Sequence, residues 1–186
     1  MAVTPSTMIP LGSKAPAFTL PDTVSGKNLS LADLSAGKIT MIMFICNHCP
    51  FVKHVNTGLV KLASDYIPKG VSFIAISSND VVNFPEDAPE KMKITAKELG
   101  YPFPYLYDES QEAARAYDAA CTPDFFIYDK DLKLAYRGQL DDSRPSNGIS
   151  VTGRDMRAAL DLLLAGKTIS AEQRPSIGCN IKWKRS

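Results

Sequence analysis

The run from Lys38 to Cys49, KITMIMFICNHC, constrains this chain more than any other segment, because an almost continuously apolar stretch leads directly into two cysteines in C-x-x-C spacing. A strand with one wet face alternates apolar and polar residues. One that does not alternate is buried on both faces, as in a parallel or mixed sheet covered by helices. Beyond the cysteines, Phe51, Val55, Leu59, Leu62 and Tyr66 recur at helical spacing with Lys53, Asn56 and Lys61 between them. That pattern predicts a long amphipathic helix, within which Gly58 is expected to permit close packing. Cys46, Asn47, His48 and Cys49 therefore stand where a buried strand hands over to a helix.

The rest of the chain repeats the strand–helix rhythm. A second buried strand is expected over Val71 to Ile76, and a helix from Ala88 to Leu99 stopped by Gly100. A short strand follows over Tyr105 to Tyr107. Asp108 and Gln111 have the spacing of a reciprocal cap for a helix from Glu109 to Tyr117. Phe125 to Tyr128 and Leu134 to Arg137 flank the polar turn DKDLK as a hairpin, and Thr152 with Asp155 is predicted to cap a last helix ending at Gly166. This order describes an α/β domain, a central mixed sheet flanked by helices with right-handed crossovers. The 186 residues suit one domain, 1–186, with 1–37 as a loop-rich N-terminal extension and 168–186 as a C-terminal tail.

Charge narrows the function classes. Lys and Arg number 21 against 20 for Asp and Glu and are dispersed, so neither nucleic acid nor a membrane is expected as a partner, and the tail Lys182, Lys184, Arg185 reads as a solvated end. The opening MAVTPSTMIPLGSKAPAF lacks the pattern of a secretory signal, and no apolar run approaches the ~20 residues of a membrane span. A cytoplasmic setting is the expectation. In that reducing compartment the four cysteines read as thiols, ligands or catalysts rather than structural bridges.

The open N–H groups and partial positive charge of a helix start stabilise a thiolate, and the same effect is expected to activate Cys46 on the first turn. His48 adds charge when protonated, and Pro50 is tolerated this early in a helix. Two thiols so spaced can close a small disulfide and store two electrons. A copper or zinc module using Cys46, Cys49 and His48 is the alternative from another class. Zinc usually takes four ligands, and no second C-x-x-C or His pair is present, with Cys121 reachable only by folding back, so no metal is assigned. Cys121 reads either as a thiol near Cys46 or as a buried small hydrophobe. Cys179 reads as a packed tail cysteine in a weak edge strand in preference to a remote resolving thiol, and His54 as surface or satisfied packing.

The opening LGSKAPAFTLPDTVSGKNLSLADL, the junction MIMFICNHCPFV, the segment CTPDFFIYD and the hairpin beyond it resemble the thioredoxin-like superfamily. More narrowly, the chain, including its tail PSIGCNIKWK, is similar to peroxiredoxin-like redoxins of the alkyl hydroperoxide reductase and thiol-specific antioxidant type that carry a C-x-x-C motif. The resemblance implies a thioredoxin-like fold and a thiol–disulfide oxidoreductase with Cys46 as nucleophile and Cys49 as resolving thiol. It makes Pro123 the cis-proline facing the dithiol, with Thr122 offering backbone groups to an incoming peptide or thiol. The implied partners are a protein or small-molecule disulfide and a cellular thiol reductant, with no cofactor.

Departures from the family patterns temper a peroxidase reading. Ile39, Met43 and Pro123 stand where peroxiredoxins carry Pro, Thr and Arg, so only weak thiol peroxidase activity is expected. Thr40 stands where thioredoxins keep a buried carboxylate. A proton on Cys49 must then move through water or another group such as Asp124, which by itself reads as an exposed turn residue. A redox sensor whose tail moves on oxidation is a further reading.

Overall fold

The computed structural model describes residues 3–185 and places the apolar run at the centre of a five-stranded sheet. In chain order the elements begin with β1 (Val3–Pro5), β2 (Thr19–Pro21), β3 (Asn28–Ser30), α1 (Leu31–Ser35), β4 (Ile39–Phe44) and α2 (Pro50–Tyr66). They continue with β5 (Val71–Ser77), α3 (Pro89–Leu99), β6 (Tyr105–Tyr107), α4 (Glu112–Ala116) and β7 (Cys121–Thr122). The chain closes with β8 (Asp124–Tyr128), β9 (Leu134–Arg137), α5 (Arg154–Leu164) and β10 (Ile177–Asn180).

The main sheet runs β6-β5-β4-β8-β9, with β4, β5 and β6 parallel and β8 and β9 antiparallel to their neighbours. Every residue of β4 is buried. Ile39, Met41 and Met43 join the core cluster on the α2 and α5 face, while Ile42 and Phe44 pack with Phe126, Tyr117 and Leu31 on the other. Helices and loops thus cover both faces, which is why this strand carries no polar alternation. Gly58 behaves as expected: a Cβ there would lie 2.5 Å from Val151 Cγ1, so a larger residue would push α2 off the segment leading to α5. A second sheet, β1-β10-β7, ties the N-terminal extension to the tail and to the segment just ahead of β8. Among the described residues, no helix is long and apolar enough to cross a membrane.

Two helix starts differ from expectation. α4 begins at Glu112, not Glu109, because Gln111 takes a left-handed conformation (φ 64°). Asp108 accepts from the backbone N–H groups of Ala113 and Ala114, further along than a reciprocal cap would reach. At α5, which Gly153 (φ 68°) precedes, Thr152 Oγ1 does accept from the Arg154 N–H, but Asp141 takes the N–H groups of Thr152 and Gly153, and Asp155 instead accepts from the Gln139 and Arg154 side chains.

Candidate functional site

The strand-to-helix junction is the site. β4 ends at Phe44, Cys46 follows in an irregular stretch, and α2 begins at Pro50 with Cys49 as its N-cap. The two thiols therefore do not share a first helical turn as the sequence suggested: Cys49 is the one at the helix end, and Cys46 stands three residues before it. Both are buried, Cys46 at 2% exposure and Cys49 at none.

Opposite them the Thr122–Pro123 peptide bond is cis. Thr122 Oγ1 lies 3.5 Å from Cys46 Sγ, and the Cys49 thiol donates to the Thr122 carbonyl at 3.1 Å. Because side chains alternate along a strand, the Thr122 hydroxyl facing Cys46 turns Cys121 the other way. The Cys121 thiol accordingly points at the Pro123 carbonyl, 3.6 Å off, and burial pushes its pKa up. The thiol that does reach the pair is Cys179, on β10, with its Sγ 3.0 Å from Cys49 Sγ. The edge of Thr122 expected to receive an incoming peptide is already taken, since β10 pairs with β7 in the register Cys179↔Thr122 and Asn180↔Cys121.

The hydrogen bond between the Cys46 and Cys49 thiols dominates their titration. It lowers the pKa of Cys49 and raises that of Cys46 well above the usual thiol range; burial opposes the ionisation of both. Lesser help for a Cys49 anion comes from Cys179 and Thr122. One negative charge is thus held readily across the pair and a second is strongly opposed.

His48 faces this charge from the side, with Nδ1 3.9 Å from Cys46 Sγ. The same nitrogen lies 2.6 Å from Asp87, a residue the sequence reading passed over. Asp87 is fully buried and also accepts from the backbone N–H groups of Asn47 and His48 and from the Asn79 amide. The Asp87 hydrogen bond raises the His48 pKa against a smaller opposing effect of burial. Burial alone would raise Asp87, but its bonds to His48 and Asn79 outweigh that and lower it. His48 also stacks on Phe84 with ring centroids 5.2 Å apart.

Cys46, His48 and Asp87 bring one ligand atom each within 4.8 Å of one another, which is the donor cluster a metal would need. Cys49 is not part of that cluster. Both Asp87 oxygens already accept hydrogen bonds, and His48 Nδ1 is spent on Asp87, so a cation would have to displace the bonds that fix the motif loop.

Asp124 corrects a second expectation. It is not an exposed turn residue: it is fully buried in β8 and forms a two-pronged ion pair with Arg137, while Ser6 and the Ala120 N–H donate to the same carboxylate. Its oxygens are thereby committed and do not serve as a proton acceptor for Cys49. Arg137 also donates to the carbonyls of Thr7 and Phe125, so its guanidinium is not directed at Cys46. His54 is satisfied by Ser143 at 2.6 Å.

With that geometry in view, residues 11–137 match the model of the AhpC/TSA family. The chain belongs to the AhpC/TSA family. A Mycobacterium tuberculosis protein bearing the name "Putative peroxiredoxin" is 33% identical over 117 residues, covering 63% of this chain and 69% of that protein. The crystal structure of an uncharacterized conserved protein from Geobacillus kaustophilus is similar over 100% of this chain and 98% of its own, at 63% identity and a TM-score of 0.98. The thioredoxin domain of a thiol-disulfide oxidoreductase from Bacteroides vulgatus aligns over 82% of this chain and 99% of its own with a TM-score of 0.62; at 19% identity it shows the fold alone. This AhpC/TSA member therefore has a thioredoxin-like fold, and its family is one of oxidoreductases.

Proposed function

We propose that the protein is a thiol–disulfide oxidoreductase of the reducing cytoplasm working through Cys46 and Cys49. The observation that carries this reading is the meeting of both sulfurs with the cis Thr122–Pro123 segment at a helix N-terminus, on a pair that loses its first proton readily. Cys46 is the attacking sulfur in this reading, as the family resemblance implies, while the resting negative charge sits on Cys49. As its remaining proton passes to Cys49, the protonated Cys49 donates to the Thr122 carbonyl. Cys46 thiolate then attacks a substrate disulfide and expels one thiolate. Cys49 next attacks Cys46 Sγ, releases the second thiolate and closes the Cys46–Cys49 disulfide, so two electrons pass to the substrate. A cellular thiol resets the pair. With β10 filling the Thr122 edge, a small disulfide suits the resting protein better than a folded protein chain.

The burial of Cys46 favours a second reading, slow peroxidase activity, since a peroxide is small enough to enter where a peptide is not. Cys46 would become a sulfenic acid with release of water or an alcohol, and Cys49 would condense with it, expelling water. Stopped-flow oxidation of the reduced protein separates the two, comparing glutathione disulfide with hydrogen peroxide in wild type and C46S. Faster reaction with the disulfide, lost in C46S, is the expected result. A peroxide rate constant approaching ~10⁷ M⁻¹s⁻¹ would make the peroxidase the main activity.

A further inference from the structure

The thiol-disulfide reading uses two cysteines, yet three sulfurs meet at the site. Cys46, Cys49 and Cys179 belong to one core cluster, and the Cys49–Cys179 contact spans 130 residues of sequence. Nothing in a packing role requires a tail cysteine to end 3.0 Å from the sulfur at the helix start.

β10 is held in place from both sides. β1 pairs with it in the register Val3↔Cys179, and β7 pairs with it through Cys179↔Thr122. The neighbouring residue, Gly178, lies so close to the cis segment that any Cβ there would collide with the Thr122 carbonyl and crowd the Pro123 nitrogen. Only glycine lets the tail approach the segment that also receives the Cys49 thiol. The strand is therefore fitted against the motif, and Cys179 is its contribution to the site.

We propose that Cys179 is a third redox thiol, which attacks Cys49 in the Cys46–Cys49 disulfide and closes a Cys49–Cys179 disulfide in its place. The proposal rests on the Cys46/Cys49 reading above. In this step the Cys179 sulfur bonds to Cys49 Sγ, the Cys46–Cys49 bond breaks and its electron pair leaves with Cys46. The proton lost by Cys179 is regained by Cys46 or by solvent. The exchange is redox-neutral, so it needs no further oxidant. Its product differs from the starting disulfide in two respects: Cys46 is again a thiol able to attack, and the tail is covalently tied to the start of α2.

Burial, and then the hydrogen bond and charge of Cys49, raise the Cys179 pKa to about 12, so the tail thiol is quiet while Cys49 is anionic. Closing the Cys46–Cys49 disulfide removes the Cys49 part of that shift and leaves the larger part, burial, in place.

Disulfide mapping tests the proposal. Wild type and C46S are oxidised with one equivalent of diamide per chain, blocked with iodoacetamide, digested and analysed by mass spectrometry, and wild type is separately assayed for reduction of glutathione disulfide. Oxidised wild type is expected to contain chains with Cys46 alkylated and Cys49 joined to Cys179, and C46S to form that same link within one chain. Wild type that reduces the disulfide while only Cys46–Cys49 is found, and C46S whose Cys49 stays alkylatable or pairs with Cys121, would overturn the third thiol. A Cys49–Cys179 link in a protein that reduces no disulfide would instead overturn the catalytic reading and leave the tail pair as a redox element. Wild type carries its own readout, so a poorly folded C46S does not remove the test.

Discussion

Asp87 and Asp124 are both buried, both paired with a basic side chain and both beside the cysteine motif or the cis-proline segment, yet they are built for opposite purposes. Asp124 and Arg137 are each fully buried, and the guanidinium is spent on the carboxylate and on two carbonyls while stacking 3.8 Å from the centre of the Phe126 ring. Asp87 pairs with His48, whose side chain keeps 15% exposure and whose Nε2 has no hydrogen-bond partner among the described residues. A guanidinium keeps its charge in proteins, whereas an imidazole titrates near neutrality. One pair is thus a fixed strut behind β8 and β9, and the other an adjustable charge beside Cys46.

The largest expected effect lies in the strut. Arg137→Met leaves Asp124 buried without its cation, and losing one partner of a buried pair costs about 3–5 kcal/mol. Urea unfolding should show that loss, with the disulfide chemistry of the surviving folded fraction unchanged in kind. A loss under about 1 kcal/mol would mean that water reaches the carboxylate and the contrast with Asp87 is false.

Asp87→Asn should cost less, about 1–3 kcal/mol, because the amide oxygen can still accept from the Asn47 and His48 backbone while the bond to the imidazole weakens. The specific signature is in His48: its pKa should fall back toward its ordinary value in an NMR titration. If His48 titrates as in wild type, Asp87 is a loop anchor only.

These two aspartates also mark where the sequence stopped being readable. The buried strand, the helix after it and the hairpin are local patterns, and Ile39–Phe44, Pro50–Tyr66 and the strands around the DKDLK turn formed as expected. Asp87 meets His48 across 39 residues and Cys179 meets Cys49 across 130, and no periodicity encodes such contacts. Asp124 looked like a turn residue because it follows Pro123. Its burial depends on Arg137, whose place beside Phe126 is set by hairpin register rather than composition. The helix starts moved for a related reason: Asp141 caps across 11 and 12 residues, beyond the reach of a motif read from neighbours.

The third test varies pH. His48 is raised in the folded state above its ordinary value near 6.5, so its contribution to stability is fully present below about pH 6.5 and is lost as pH climbs through the raised value. Asp87 is lowered, so its contribution is present above about pH 3.9 and is lost as pH falls through the folded value. Cys49, lowered in the folded state, adds stability as pH rises across the same window, so the His48 part is read as a difference: from pH 5 to pH 9 the urea midpoint of wild type should fall relative to that of Asp87→Asn. Identical slopes would detach the His48–Asp87 pair from stability.

The smallest effect expected is on redox poise. An imidazolium beside Cys46 favours the anionic, reduced form of the pair, and stabilising the reduced form raises the potential. The carboxylate of Asp87 acts in the opposite sense, raising the Cys46 pKa, so it opposes the imidazolium at the sulfur. His48→Ala removes the cation and leaves the anion, which should lower the potential by no more than about 30 mV, roughly 1.4 kcal/mol for a two-electron couple. Removing both charges in a His48→Ala, Asp87→Ala variant should return the potential toward wild type. Equilibration with glutathione buffers, with the Cys46–Cys49 disulfide quantified by alkylation, reads both variants on one scale. A single variant with unchanged potential would show that the helix N-terminus alone sets the thiol, whereas a double variant that falls further than the single one would show that Asp87 supports the reduced form through the loop it anchors.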